Sequence, residues 1–277
     1  MIDYIRESFS YYELFYRLHK AKKTHKPEKV SFGPDKDQYF LYYEPEKPVS
    51  DKVVVWVHGG GWNSGDPEVF DYVGQAMVKE GYRFVSLGYR LSPKNKYPVQ
   101  IEDVCAGYNA AMKHLKGKGV DTSRVIVSGP SAGAHLSSIL TYSRKVQTEY
   151  QTDVSNVIGY VGFGGPYRFG KMQGLTLRML LAMLFAKGYD RSQAEPLALM
   201  EESNIPMLLI QSSHDGLIEF SCAEEFAQKA ETLSIPCEIY DVEDKKNTHS
   251  WYTAGCFFFD RGKSRTVDKF LKFIESL

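Results

Sequence analysis

Three observations predict an α/β domain with a mostly parallel central sheet and helices on both faces, a three-layer αβα arrangement. From Val53 onward, short apolar runs alternate with helical patterns, the rhythm of parallel strands joined by crossover helices. With 277 residues and 43% hydrophobic content, the chain can bury one large core. Two of the runs empty directly into glycine-rich turns that lead into helices: Val53 to Val57 before His58-Gly59-Gly60-Gly61-Trp62, and Val125 to Val127 before Gly129-Pro130-Ser131-Ala132-Gly133.

Taken in order, residues about 2–24 place Ile2, Ile5, Phe9, Tyr12 and Tyr16 at three- and four-residue intervals, an amphipathic helix rich in aromatics. Because it precedes every strand signal, it is expected on the outside of the domain or over its mouth. Glu28 to Phe32 and Gln38 to Tyr43 read as an antiparallel pair. Strands follow at Val53 to Val57, Arg83 to Leu87, Val125 to Val127, Val157 to Gly162, Pro206 to Ile210 and Cys237 to Asp241. Helices are expected near 67–80, 99–116, 132–143, 221–233 and 263–276. The interval of about 164–204 is longer than a crossover requires. It contains Leu175 to Ala186, apolar nearly all round, which must be covered on more than one side. Either it is an extra core helix or it forms a small cap over the mouth, the reading preferred here. No repeat or linker divides residues 1–277, so a single domain is expected.

Lys plus Arg equals Asp plus Glu, so no net field draws the chain to nucleic acid or an anionic membrane. The basic cluster Arg17, Lys20, Lys22, Lys23, Lys26 and Lys29 reads as a solvated helix end. Cys105, Cys222, Cys237 and Cys256 are far apart, with neither disulfide-framework nor zinc spacing, and buried free thiols and no metal are expected. The amino terminus is unlike a secretory signal, and the longest apolar run is too short to span a bilayer. A cytoplasmic protein without membrane insertion is the expectation; a homodimer is left open.

The chemistry sits in the two turns. In Gly129-Pro130-Ser131-Ala132-Gly133, glycines flank the serine at spacing two, where a sharp strand-to-helix turn leaves no room for side chains. Such a turn lifts the serine hydroxyl above the carboxyl end of the strand, as a nucleophile. The three glycines after His58 leave backbone N–H groups uncovered, the donors that hold the oxygen of a tetrahedral intermediate. Neither nucleotide fingerprint can be written through them. The oxyanion donors are read as Gly60, Gly61 and Ala132, with His58, Gly59 and Trp62 in support.

A serine nucleophile needs a base, and the base an orienting acid. With this elbow the acid and the histidine follow the serine, on loops after later strands. Asp215 lies just after Met207 to Ile210, and His249 lies in the loop after Cys237 to Tyr240. Ser131, Asp215 and His249 are therefore read as a catalytic triad. His214 is the competing base, disfavoured because its strand is the one expected to supply the acid. His135 suits packing beneath the elbow, His58 a hydrogen bond within the glycine loop, and His19, His25 and His114 surface or packing roles. Asp241, Glu243 and Asp244 are the fallback acids.

Over residues 38 to 277 the chain resembles the α/β-hydrolase superfamily, and specifically the hormone-sensitive-lipase-like small esterases. The marks are His58 to Trp62, then Tyr89-Arg90-Leu91-Ser92-Pro93 with Pro98 and Asp103, the elbow, and the Asp215 and His249 loops. Two positions depart from that family: Pro130 stands where Asp is usual and Ala134 where a further Gly is usual. Ser131-Ala132-Gly133-Ala134-His135-Leu136 is similar instead to the elbow of kynurenine formamidases. The resemblance implies cleavage of carboxylic esters of small or medium acyl groups, a small-molecule ester substrate and no cofactor. Arylformamidase is the alternative, and a catalytically silent receptor or interaction module is the alternative of another class. The complete set of Ser131, Asp215, His249 and Gly59 to Gly61 speaks against the silent module.

Overall fold

The computed structural model describes residues 2–20, 24–171 and 174–277. Eight strands form one sheet: β1 (Glu28–Ser31), β2 (Tyr39–Tyr43), β3 (Val53–Val57), β4 (Arg83–Leu87), β5 (Val125–Pro130), β6 (Val157–Phe163), β7 (Met207–Gln211) and β8 (Cys237–Asp241). Their spatial order is β1-β2-β4-β3-β5-β6-β7-β8. The first two pairings, β1 with β2 and β2 with β4, are antiparallel, and every later neighbour is parallel. The carboxyl ends of β3 through β8 therefore share one edge, and the functional loops rise from it.

The helices are α1 (Ile2–Lys20), α2 (Asp71–Lys79), α3 (Val99–Gly117), α4 (Ala132–Tyr142), α5 (Arg144–Glu149), α6 (Leu175–Leu184), α7 (Pro196–Leu199), α8 (Phe220–Thr232), α9 (His249–Thr253) and α10 (Arg265–Ser276). β3 shows why they divide between two faces. Val53, Val55 and Val57 point into one core with α3, α4 and α8; Val54 and Trp56 point into the other with α2 and α10. A strand buried on both faces has no polar alternation, so all five of its residues are apolar. Helix α10 repeats the same economy at helical period, burying Val267, Phe270, Leu271 and Ile274 while Ser264 caps it by accepting from the Val267 N–H.

Strand positions agree with the sequence reading to within a few residues. Four expectations are corrected. Helix α1 does lie over the mouth, but Phe9, Tyr12 and Tyr16 are 73%, 77% and 60% exposed, and the inward residues are Glu7, Tyr11, Leu14 and Leu18. Two stripes at three- and four-residue spacing coexist on this helix, and the one carrying the acid is the one that docks. The helix is described to Lys20 and Thr24 is not helical; residues 21–23 of the expected span lie outside the described residues.

Helix α6 is not covered all round. Leu177, Leu181 and Leu184 are buried, whereas Leu175 is 75% and Met179 56% exposed. One stripe joins the core, a second faces the mouth, and the third meets solvent. His249, finally, does not sit in an open loop: it is the first residue of the short α9. The remainder of the 164–204 interval contains two 3₁₀ turns and α7. Cys105, Cys222 and Cys256 are buried free thiols, while Cys237, on the edge strand β8, is only half-buried. Among the described residues, no helix is long and apolar enough to cross a membrane.

Phe163 ends β6 within an aromatic layer, its ring 5.6 Å from Trp56, 5.8 Å from Phe257 and 5.5 Å from Phe270. Phe163→Ala is expected to cost about 3–5 kcal/mol. Urea unfolding should show it as a lowered midpoint with an unchanged slope. An unchanged midpoint would contradict this packing.

Candidate active site

The elbow is held by backbone contact. β5 lies between β3 and β6, and at its end Ser131 adopts φ 52° and ψ −119°, the left-handed region a side chain rarely enters. Strain of this kind costs about 1–3 kcal/mol and persists only where the surroundings impose it. They do so here. A Cβ on Gly133 would stand 2.0 Å from the Val57 carbonyl oxygen, and one on Gly129 would stand 2.6 Å from the same atom. The Ser131 N–H donates to the Phe163 carbonyl at 2.7 Å, and the His135 N–H donates back to the Ser131 carbonyl at 3.1 Å. Pro130 closes β5, a strand-end position that tolerates its missing N–H.

The glycine loop meets the elbow from β3. A Cβ on Gly59 would come within 2.9 Å of the Pro130 carbonyl oxygen, and one on Gly60 within 2.1 Å of the Ser64 oxygen. Gly60 (φ 109°), Gly61 (φ 60°) and Trp62 (φ 60°) coil in the left-handed region, and the Gly60 carbonyl accepts from the Asn63 and Ser64 N–H groups. The N–H groups of Gly60 and Gly61 donate to no protein acceptor among the described residues. His58 Nδ1 donates to the Gly59 carbonyl at 2.7 Å, and its ring stacks on Tyr89 at 4.1 Å. The Tyr89 hydroxyl returns a bond to the His58 carbonyl at 3.1 Å. Arg90 then forks onto the fully buried Asp103 with two bonds of 2.7 Å, so the Tyr89-Arg90 segment anchors the glycine loop from behind.

Trp62 and His135 lock the two turns together. The Trp62 Nε1–H donates to His135 Nδ1 at 3.2 Å, and His135 Nε2–H donates to the Ala194 carbonyl at 2.7 Å. Those partners require the neutral imidazole. Burial pulls both His135 and His58 down to about 4.

Asp215 and His249 behave differently. His249 Nδ1 lies 2.7 Å from Asp215 Oδ2, with the histidine side chain 3% and the carboxylate 0% exposed. Asp215 Oδ1 accepts from the Leu217 and Ile218 N–H groups at 2.7 and 2.9 Å, and Oδ2 also accepts from the Tyr252 hydroxyl at 2.5 Å. Burial alone would raise the Asp215 carboxyl, but the His249 charge and these donors outweigh it and hold the group below the ordinary aspartate range. Burial alone would lower His249; the Asp215 carboxylate, with Glu7 adding to it, outweighs burial and raises the imidazole. The competing residues lie elsewhere. His214 is exposed, Asp241 accepts from the Ser213 N–H, Glu243 pairs with Arg265, and Asp244 accepts from Ser264, Arg265 and Thr266. His114 packs edge-on against Phe40 and Tyr42.

Ser131 and His249 open into one cavity of about 510 Å³, with the glycine loop as its floor. Helix α1 contributes Glu7, Tyr11, Leu14 and Leu18 to the walls; α6 contributes Thr176, Leu177 and Leu180. The lining is apolar apart from the serine, the histidine and a few polar groups, the usual make-up of a small-molecule site. A wider groove of about 900 Å³ between α2 and α10 contains none of Ser131, Asp215 and His249. Three residues of the site had no sequence assignment. Tyr252 and Tyr11 look like core aromatics in the sequence. Glu7 leaves one signal, an acid on the stripe otherwise formed by Tyr11, Leu14 and Leu18. It is 2% exposed and accepts from the His249 and Ser250 N–H groups at 2.6 and 2.8 Å.

Known proteins resemble the chain in both sequence and fold. It is 35% identical over 101 residues to carboxylesterase NlhH of Mycobacterium tuberculosis, a match covering 36% of this chain and 32% of that protein. It is 26% identical over 224 residues to esterase LipC of the same species, covering 74% of this chain and 55% of LipC. The chain thus spans between a third and about half of the length of these relatives. In structure it is similar to an inhibited esterase B of Lactobacillus rhamnosis, with TM-score 0.77, 17% identity, and coverage of 100% of this chain and 96% of that one. That likeness extends over the whole chain, and the fold is that of the α/β-hydrolases. The BD-FAE family profile matches residues 40–230, from the second strand through the helix after Asp215, and the chain belongs to the BD-FAE family.

Proposed function

We propose that the protein is a serine hydrolase cleaving carboxylic esters of small or medium acyl groups through an acyl-enzyme. One observation carries the reading: a strained Ser131 shares a cavity with His249, whose imidazole is paired to a buried Asp215. His249 takes the Ser131 proton as the hydroxyl attacks the ester carbonyl. Asp215 fixes the tautomer that leaves Nε2 free, and stabilises the imidazolium that forms. The tetrahedral oxygen is held by the N–H groups of Ala132, Gly60 and Gly61, which are fixed in place before substrate arrives. His249 next protonates the departing alcohol, and water attacks the acyl-enzyme by the reverse path. The alternatives lose ground on the two relatives described above, a carboxylesterase and an esterase.

The cavity bounds the substrate. A volume of about 510 Å³, walled by Leu14, Leu18, Leu177 and Leu180, suits a small or medium acyl chain better than a long one. An esterase B structure inhibited by a tributyrin phosphonate offers a parallel for such a group. The 164–204 segment acts as a cap, its α6 forming one wall. Four free thiols suit the reducing cytoplasm.

Fluorophosphonate labelling followed by peptide mass spectrometry should place the label on Ser131; a label on another serine overturns the assignment. Ser131→Ala should lower kcat by at least about 10³-fold on butyryl esters, and retained activity would contradict it. In the same panel, an aryl formamide hydrolysed faster than every ester would transfer the chain to the alternative reaction. Because His249 must be neutral to act as a base and its pKa is raised, kcat/KM should climb with pH through an acidic limb above about 6.5. A limb at or below that value would contradict the Asp215 pairing.

A further inference from the structure

The segment that carries the base is held from outside the hydrolase core. Five successive residues, 246 to 250, contact α1. Lys246 pairs with Glu13, the Asn247 side chain accepts from Arg6 at 3.1 Å, and the Thr248 hydroxyl donates to Ser10 at 2.9 Å. The last two give their backbone N–H groups to the two oxygens of Glu7, at 2.6 Å for His249 and 2.8 Å for Ser250. Thr248, at the capping position of α9, makes no cap of its own. A helix serving only as an apolar wall would not need a carboxylate here, because burying one is costly unless its bonds are satisfied.

We infer that Glu7 is a positioning residue for the proposed reaction, a carboxylate on the amino-terminal helix that fixes the His249 backbone and adds a second negative charge behind its imidazole. The inference rests on the serine-hydrolase reading given above. Its physical content is twofold. The two bonds set where the base stands relative to Ser131, and displacements of an ångström at a reacting group cost about 10²-fold in rate. The charge supports the imidazolium that forms as the serine gives up its proton. The titratable groups that face His249 are Asp215 from the β7 loop, Glu7 and Tyr11 from α1, and Tyr252 from its own helix. Tyr11 and Tyr252 remain neutral because burial pushes both phenols up. Within this set, Glu7 is the anion that can be removed while the Asp215 bond stays. Burial raises the Glu7 carboxyl as well, and the His249 charge and the two N–H donors oppose that rise.

The test compares wild type with Glu7→Gln and Glu7→Asp on a butyryl ester. Gln keeps one acceptor, loses the charge and turns an amide toward the other N–H. It should lower kcat by about 10- to 10²-fold with KM little changed, and move the acidic limb of kcat/KM to lower pH, because His249 loses a neighbouring anion. Asp keeps the charge but not the reach, so kcat should fall while the limb stays at the wild-type position. A merely structural role would lower thermal stability without moving the limb. Glu7→Gln with wild-type kcat and limb overturns the inference. If that variant does not fold, the wild-type protein still decides: the His249 and Ser250 amide protons should exchange slowly and resonate downfield, and rapid exchange overturns the inference. A wild-type chain that neither hydrolyses esters nor takes the fluorophosphonate label would refute the proposed function instead, and the amide measurement separates the two failures.

Discussion

The approach of Gly129 and Gly133 to the carbonyl of Val57 is the contact on which the mouth of this molecule depends. With 2.6 Å at Gly129 and 2.0 Å at Gly133 between that oxygen and any Cβ placed there, the elbow is seated on the end of β3. The loop leaving β3 must therefore coil beside the serine. Gly59 in turn closes on Pro130, and Trp62 reaches across to His135. Nothing but glycine permits this proximity, and the proximity places uncovered N–H groups beside Ser131. The strained serine dihedrals follow from that packing, so the strain is imposed by the junction of two strands rather than by the serine itself.

Three buried imidazoles surround this junction, and their surroundings assign them opposite duties. His58 and His135 make their hydrogen bonds to carbonyls and an indole, and burial outweighs the Asp66 charge near His58, so both remain neutral struts. His249 faces a carboxylate that the imidazole's own charge, the Tyr252 hydroxyl and the Ile218 N–H hold below the ordinary aspartate range against burial. The difference lies in one partner: a fixed anion reverses the effect of burial on an imidazole. The proposed reaction needs one titrating base with rigid supports beside it, and three histidines divide these parts between them.

Much of the molecule was legible in its sequence because the determinants were local. The β-branched runs of β3 and β5 fixed their own identity, and the glycine spacing around Ser131 left a single turn type. The chain order of Asp215 and His249 followed from where strands end. The misreadings share a different cause. On α1 two stripes compete, and the aromatic stripe of Phe9, Tyr12 and Tyr16 is stronger in composition than the stripe of Glu7, Tyr11, Leu14 and Leu18 that docks. Docking is settled by two backbone N–H groups some 240 residues away, which no periodicity encodes. Helix α6 misled for a related reason, since an apolar side chain such as Leu175 can face water at the rim of a cavity. Tyr252 was hidden because a tyrosine bound to a buried acid looks the same in sequence as one in the core.

A titration of the histidine side chains by ¹⁵N NMR tests most directly the claim that this fold isolates one basic imidazole and keeps two neutral. His249 should titrate above about 6.5, while His58 and His135 stay neutral until near pH 4. A His249 midpoint below the ordinary histidine value, or a His58 or His135 charged at neutral pH, would contradict the account.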